Sequence, residues 1–155
     1  MKIGIIATHS FPIPYYNLHT GDVVILNLTK SLQAMGHEVT LYAPEGTAFN
    51  NLKPMKASFG KYPPSSQECE TDCFNNNRDS LFNQDIVHDF SVTKQITKLM
   101  NNEGFLNTCC TLMGGPWTQN NQPHNLVVWS QAHKNRVSRG ATDYEGTPTP
   151  DLAGP

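Results

Sequence analysis

Hydrophobic positions in this chain fall into short continuous runs separated by segments of helical period. The first run, Lys2-Ile3-Gly4-Ile5-Ile6-Ala7, shows no polar alternation and reads as a strand covered on both faces. A loop from Thr8 to Thr20 follows, carrying Pro12, Pro14, His9, His19 and paired tyrosines. Val24, Ile25, Leu28, Leu32 and Met35 then recur at helical spacing. Asp22 stands in the first turn, where the helix dipole favours an acid, and Gly36 is placed to end the helix in the left-handed conformation. His37 to Ala43 is a second strand, closed by Pro44. Strand, helix and strand between Lys2 and Ala43 make a βαβ unit, with parallel strands and a right-handed crossover.

The pattern then repeats. Asp85 to His88 reads as a strand, and Ser91 as the cap of a helix with Val92, Ile96, Leu99 and Met100 on one face, ended by Gly104. Residues 107–112 and 125–129 supply two further strands, and Ser130 caps a final helix that stops before Gly140. About five strands alternating with helices predict an α/β domain built on a Rossmann-like, doubly wound parallel sheet. That domain is expected over residues 1–143. Residues 44–84 break the alternation with Pro54, Pro63, Pro64 and the run Asn75-Asn76-Asn77, and read as an irregular excursion or a mobile flap. The tail 144–155, YEGTPTPDLAGP, has no period and reads as a linker toward another domain.

Composition narrows the function classes. The 155 residues suit one domain, able to bury roughly 70% of its unfolded surface. Eleven Lys+Arg against 13 Asp+Glu leave a formal charge of −2, with no basic excess to neutralise phosphates, so a nucleic-acid partner is not expected. No apolar run approaches the ~20 residues that span a bilayer, and prolines follow the first run where a cleavable signal would have small residues. These features point to a soluble, cytoplasmic protein. Cys69, Cys73, Cys109 and Cys110 match no zinc spacing and are too few for a disulfide scaffold; they read as free thiols. Cys109 and Cys110 lie in an apolar run, so at least one should face the core.

Ligands of an open α/β sheet collect beyond the carboxyl ends of its strands. The residues expected there include the 8–20 loop, His88-Asp89, the Gly114-Gly115-Pro116-Trp117 turn, and Ser130 to His133. His9, His88 and His133 fall at or near this rim. After the first strand there is no GxGxxG and no GxxxxGK[ST], which disfavours a dinucleotide site or a P-loop, and GxSxG is absent. The nearest phosphate cradle is Thr20-Gly21, at a helix N-terminus. His37 and Glu38 sit at the opposite, amino edge and read as turn and surface residues. Trp117 is a better ligand contact than Trp129, which lies in a strand.

The order KIGIIA, long loop ending in glycine, amphipathic helix, GHEVTLYAPEGT resembles the N-terminal half of GT-B glycosyltransferases of family 4 (glycosyl transferases group 1). DIVHDFS is similar to that family's DvvHxH strand end, and NLVVWSQAHKNRVSRGAT to its last N-domain strand and helix. The resemblance covers most of 1–43 and 85–142. It implies one half of a two-domain fold whose N-terminal domain chiefly binds the sugar acceptor. The nucleotide-sugar donor is held mainly by a C-terminal domain, and neither metal nor other cofactor is needed. The family's donor-holding ExxxxxxxE motif does not occur in the 155 residues. Its Gly-Gly is only Thr20-Gly21 here, and its T-x-H-G loop is Thr111-Leu112-Met113-Gly114, where methionine cannot transfer protons. Substrate contacts are therefore expected from Thr20, Gly21, His88, Met113, Gly114, Ser130 and His133, with no residue singled out as catalytic. The isolated chain is expected to be inactive. The alternative is a non-enzymatic α/β module that binds a small ligand or a protein partner.

Overall fold

The unbroken apolar character of Lys2–Ile6 is explained by its place. In the computed structural model this strand, β1, lies in the middle of a sheet with helices on both faces. The structure describes residues 1–13, 20–56, 65–112 and 125–127. Along these run β1, α1 (Thr20–Ala34), β2 (Glu38–Pro44), β3 (Leu52–Met55) and α2 (Ser66–Phe82). Then follow β4 (Ile86–Asp89), α3 (Gln95–Asn102), β5 (Thr108–Thr111) and β6 (Leu126–Val127). Among the described residues the sheet has six strands in the order β3-β2-β1-β4-β5-β6, and every neighbouring pair is parallel. This is the doubly wound order, which reverses direction between β1 and β4.

Side chains alternate across each strand, so the sheet builds two cores. Ile3, Ile5 and Ala7 join Val39, Leu41, Ala43, Phe90 and Ile25 of α1 on one face. On the other, Ile6, Tyr42 and Val87 meet Cys73, Phe74 and Leu81 of α2 and Ile96 and Met100 of α3. A Cβ on Gly4 would come within 3.1 Å of Gln84 and 3.2 Å of Tyr42, so glycine leaves room for these two side chains over β1. Gly36, at φ +85°, ends α1 in the left-handed conformation as its position implied.

Two expectations need correction. Residues 44–84 are not an irregular excursion throughout, since they contain β3 and the 17-residue α2. The strand escaped notice because Lys53 and Pro54 are exposed, and a proline is tolerated in a strand only at an edge. The helix is largely polar, and its buried positions are Cys69, Glu70, Cys73, Phe74 and Leu81, a helical spacing disguised by two thiols and a carboxylate. Its start was legible: Ser65 Oγ accepts from Glu68 N at 3.1 Å while Glu68 Oε2 accepts from Ser65 N at 2.9 Å, a capping box. Secondly, Ser91 does not cap α3. The helix begins at Gln95 behind Lys94, which is left-handed at φ 57°, and Val92, expected on the apolar face, is exposed. Strand β4 ends at Asp89, one residue later than expected. The helix expected from Ser130, and the boundary at 143, lie outside the described residues. Among the described residues no helix is long and apolar enough to cross a membrane.

Candidate functional site

The sheet order reverses between β1 and β4, the position at which open α/β sheets bind ligands, beyond the carboxyl ends of these two strands. Ile6 pairs with Asp89, and Phe90 N donates to Ile6 O at 2.8 Å. The two chains therefore run side by side to Ala7 and Phe90 before they part, one into His9 and the other into Ser91. Thr20 and Gly21 open α1.

His9 is almost fully buried. Its Nε2 lies 3.4 Å from Ser66 Oγ in the first turn of α2, while its Nδ1 is buried without a hydrogen-bond partner. Burial lowers its pKa, against the opposing pull of Glu70's negative charge, so the ring is neutral near pH 7. Ser91 is also buried, with its Oγ unpartnered. Its backbone N–H is held by Asp89 Oδ1 at 2.7 Å, which tightens the turn after β4.

Three charged groups, all fully buried, fix these connections. Glu70, one turn after Ser66 on α2, accepts from Thr93 N at 2.8 Å, Thr93 Oγ1 at 2.7 Å and Gln95 N at 2.8 Å. It therefore supplies the cap that α3 lacks in its own sequence. Lys94 Nζ donates to the carbonyls of Asp89 (3.0 Å), Ser91 (2.5 Å) and Thr111 (2.9 Å) and stands 3.7 Å from Asp89 Oδ1. Asp89 Oδ2 accepts from Thr97 Oγ1 at 2.6 Å. One ammonium thus ties together the carboxyl ends of β4 and β5.

Of the predicted contacts, Thr20, Gly21 and His88 lie among the described residues. His88 lies within β4 and its side chain shares the α1-side face with Ile86 and Phe90. Its Nε2 is 2.7 Å from Thr111 Oγ1 and its ring centroid 4.2 Å from that of Phe90. Burial, with a smaller contribution from Lys94's charge, pushes its pKa down to about 4 against the pull of Asp89. The imidazole is therefore neutral and already engaged. Gly21 sits in α1's first turn without a left-handed φ. Met113, Gly114, Trp117, Ser130 and His133 lie outside the described residues. Reading from sequence missed Ser66 and Glu70, which fell in the supposed excursion, and took Ser91 for a cap. The capping box at Ser65–Glu68 was the signal that could have placed the first two.

Burial disfavours the thiolate form of all four cysteines. Cys69, Cys73 and Cys110 are buried, and burial raises Cys73 and Cys110 to about 12 and the half-buried Cys109 to about 11. Among the described residues no group of three or more His, Cys, Asp or Glu side chains could hold a metal ion. No protein-family model matches the chain, and no curated protein matches it.

Proposed function

We propose that this chain is the acceptor-side, Rossmann-like domain of a nucleotide-sugar-dependent glycosyltransferase. What supports the reading is the reversal of the β3-β2-β1-β4-β5-β6 order between β1 and β4, with the unpartnered polar atoms of His9 and Ser91 in the connections that follow these two strands. A neutral imidazole and a hydroxyl suit a sugar hydroxyl better than they suit a phosphate. The order of KIGIIA, the amphipathic helix and GHEVTLYAPEGT supports the same reading, as does the absence of a dinucleotide or P-loop motif after β1. The donor is then bound chiefly by a facing domain, and transfer needs both walls to align donor and acceptor.

The test is turnover. The purified 155-residue chain, incubated with UDP-glucose or GDP-mannose, should release free nucleotide no faster than an enzyme-free blank, with or without added polyols. Nucleotide release by this chain alone would overturn the proposal and favour a self-sufficient enzyme.

A further inference from the structure

Among the described residues, three other than glycine have a left-handed backbone, and two of these are asparagines that stand immediately before an edge strand. Asn51 (φ 30°) precedes Leu52 of β3, and Asn125 (φ 58°) precedes Leu126 of β6. Asparagine tolerates this conformation better than most residues. The third case, Lys94, is held by the buried cluster after β4.

The two asparagines make the same hydrogen bonds. Asn51 O accepts from Leu41 N at 3.2 Å, and Asn51 Nδ2 donates to Val39 O at 3.4 Å. Asn125 O accepts from Cys110 N at 3.0 Å, and Asn125 Nδ2 donates to Thr108 O at 2.9 Å. In both, the leucine that follows is registered with the residue whose N–H the asparagine accepts: Leu52 with Leu41, and Leu126 with Cys110. A ladder continued backward would bring the backbone N–H of residues 51 and 125 to Val39 O and Thr108 O. At the left-handed turn the side-chain amide supplies that donor. Asn107 offers a comparison within the molecule. It precedes the interior strand β5 and accepts from Val87 N at 2.9 Å, yet its backbone is not left-handed.

Edge strands have the greater need of such a device. β3 has four residues and β6 two, and among the described residues each pairs on one side only. Few ladder bonds specify register weakly, and a slip of one residue turns every side chain to the opposite face.

We infer that Asn51 and Asn125 are register pins. Each amide occupies a carbonyl of the inner strand, so that the edge strand begins at the following leucine and nowhere else. The pin at Asn51 thereby also sets where β3 leaves the sheet, at Met55 beside Pro44. This inference concerns the two borders of the sheet and stands apart from the acceptor-side reading.

The experiment is amide hydrogen exchange followed by nitrogen-15 NMR at pH 7, on the 155-residue chain and on Asn51→Asp, Asn51→Gly, Asn125→Asp and Asn125→Gly. Aspartate and glycine both adopt the left-handed conformation, but neither side chain donates a hydrogen bond at this pH. The Leu41 amide should exchange about fivefold faster in both Asn51 variants, and the Cys110 amide in both Asn125 variants, the factor that one neutral hydrogen bond commands. The shorter bond of Asn125 should give the larger effect. Cross-strand nuclear Overhauser contacts of Leu41 with Leu52, or of Cys110 with Leu126, should weaken in the same variants, while β1 and β4 amides keep the parent rates.

Parent rates in both variants of one asparagine would show that only the left-handed turn matters there, and would overturn the pin. Equal acceleration throughout β1 and β4 would overturn it too, because the amide would then support the whole fold rather than one strand's register. Should an aspartate variant fail to fold, the glycine variant at that position decides.

Discussion

Lys94 shows how much one residue can decide at this edge of the sheet. Its left-handed backbone and fully buried ammonium are both unfavourable alone, and three carbonyls and Asp89 compensate them. Lys94→Met leaves the Asp89 carboxylate buried without its counter-charge and should cost about 3–5 kcal/mol in urea unfolding. Adding Asp89→Asn should recover part of that loss; a strictly additive double variant would show that the pair is uncoupled. His88 makes a pH prediction. Its folded pKa of about 4 lies below the ordinary 6.5, so as pH falls the unfolded chain takes up the proton first. The stability it contributes is present above 6.5 and is lost as pH drops from 6.5 towards 4, on the order of 3 kcal/mol at most. His88→Gln should therefore show a smaller fall in urea midpoint between pH 7 and pH 4.5 than the parent chain. Equal falls would place the acid sensitivity elsewhere.

At the scale of elements, α3 is the informative case. Eight residues make a marginal helix, and its N-terminus carries no side-chain cap of its own. Glu70 on α2 provides the acceptors, so the two helices stabilise each other through one carboxylate, reinforced at the other end by the Arg78–Glu103 ion pair. Glu70→Gln keeps the size but turns an amide N–H₂ toward donors, and should cost about 2 kcal/mol, with faster amide exchange in Gln95–Asn102 than in α1. Exchange that stays slow there would show that α3 does not depend on this cap. Gly21 lies in α1 without a left-handed φ, so its backbone does not demand glycine. Gly21→Ala should stabilise the chain by up to about 1 kcal/mol through helix propensity. A loss of melting temperature instead would mean that the turn needs the missing Cβ for packing.

For the molecule as a whole, stability is expected to be layered by distance from the middle of the sheet. β1 is paired on both sides and covered by both cores, whereas β3 is an edge strand with exposed Lys53 and Pro54. Native-state hydrogen exchange should therefore be slowest at Ile3–Ile6 and Val87–Asp89 and fastest among the strands at β3. Equal protection at β3 would contradict this ordering.

Where burial is uniform, sequence pattern and structure coincide, because the same apolar run that marks a doubly covered strand also drives its burial. This held for β1, α1 and β2, for the parallel doubly wound class, and for Cys110 facing the core. The sequence also held an unused local signal, the capping box of α2, which needs only a serine and a glutamate three residues apart and lay in the stretch expected to be irregular. The edge strand β3 left little trace, since an edge position needs few apolar residues. The start of α3 could not be read locally at all: its cap is Glu70, 25 residues before Gln95, and only the packing of α2 on α3 brings them together. The same is true of the rim. His88 looked available because it ends a strand, and folding gave it Thr111 and Phe90; Ser91 looked like a cap, and folding left its hydroxyl unpaired beside the central strands. Pattern reports whether a residue is covered, and hydrogen-bond partners distant in sequence are chosen by the tertiary fold.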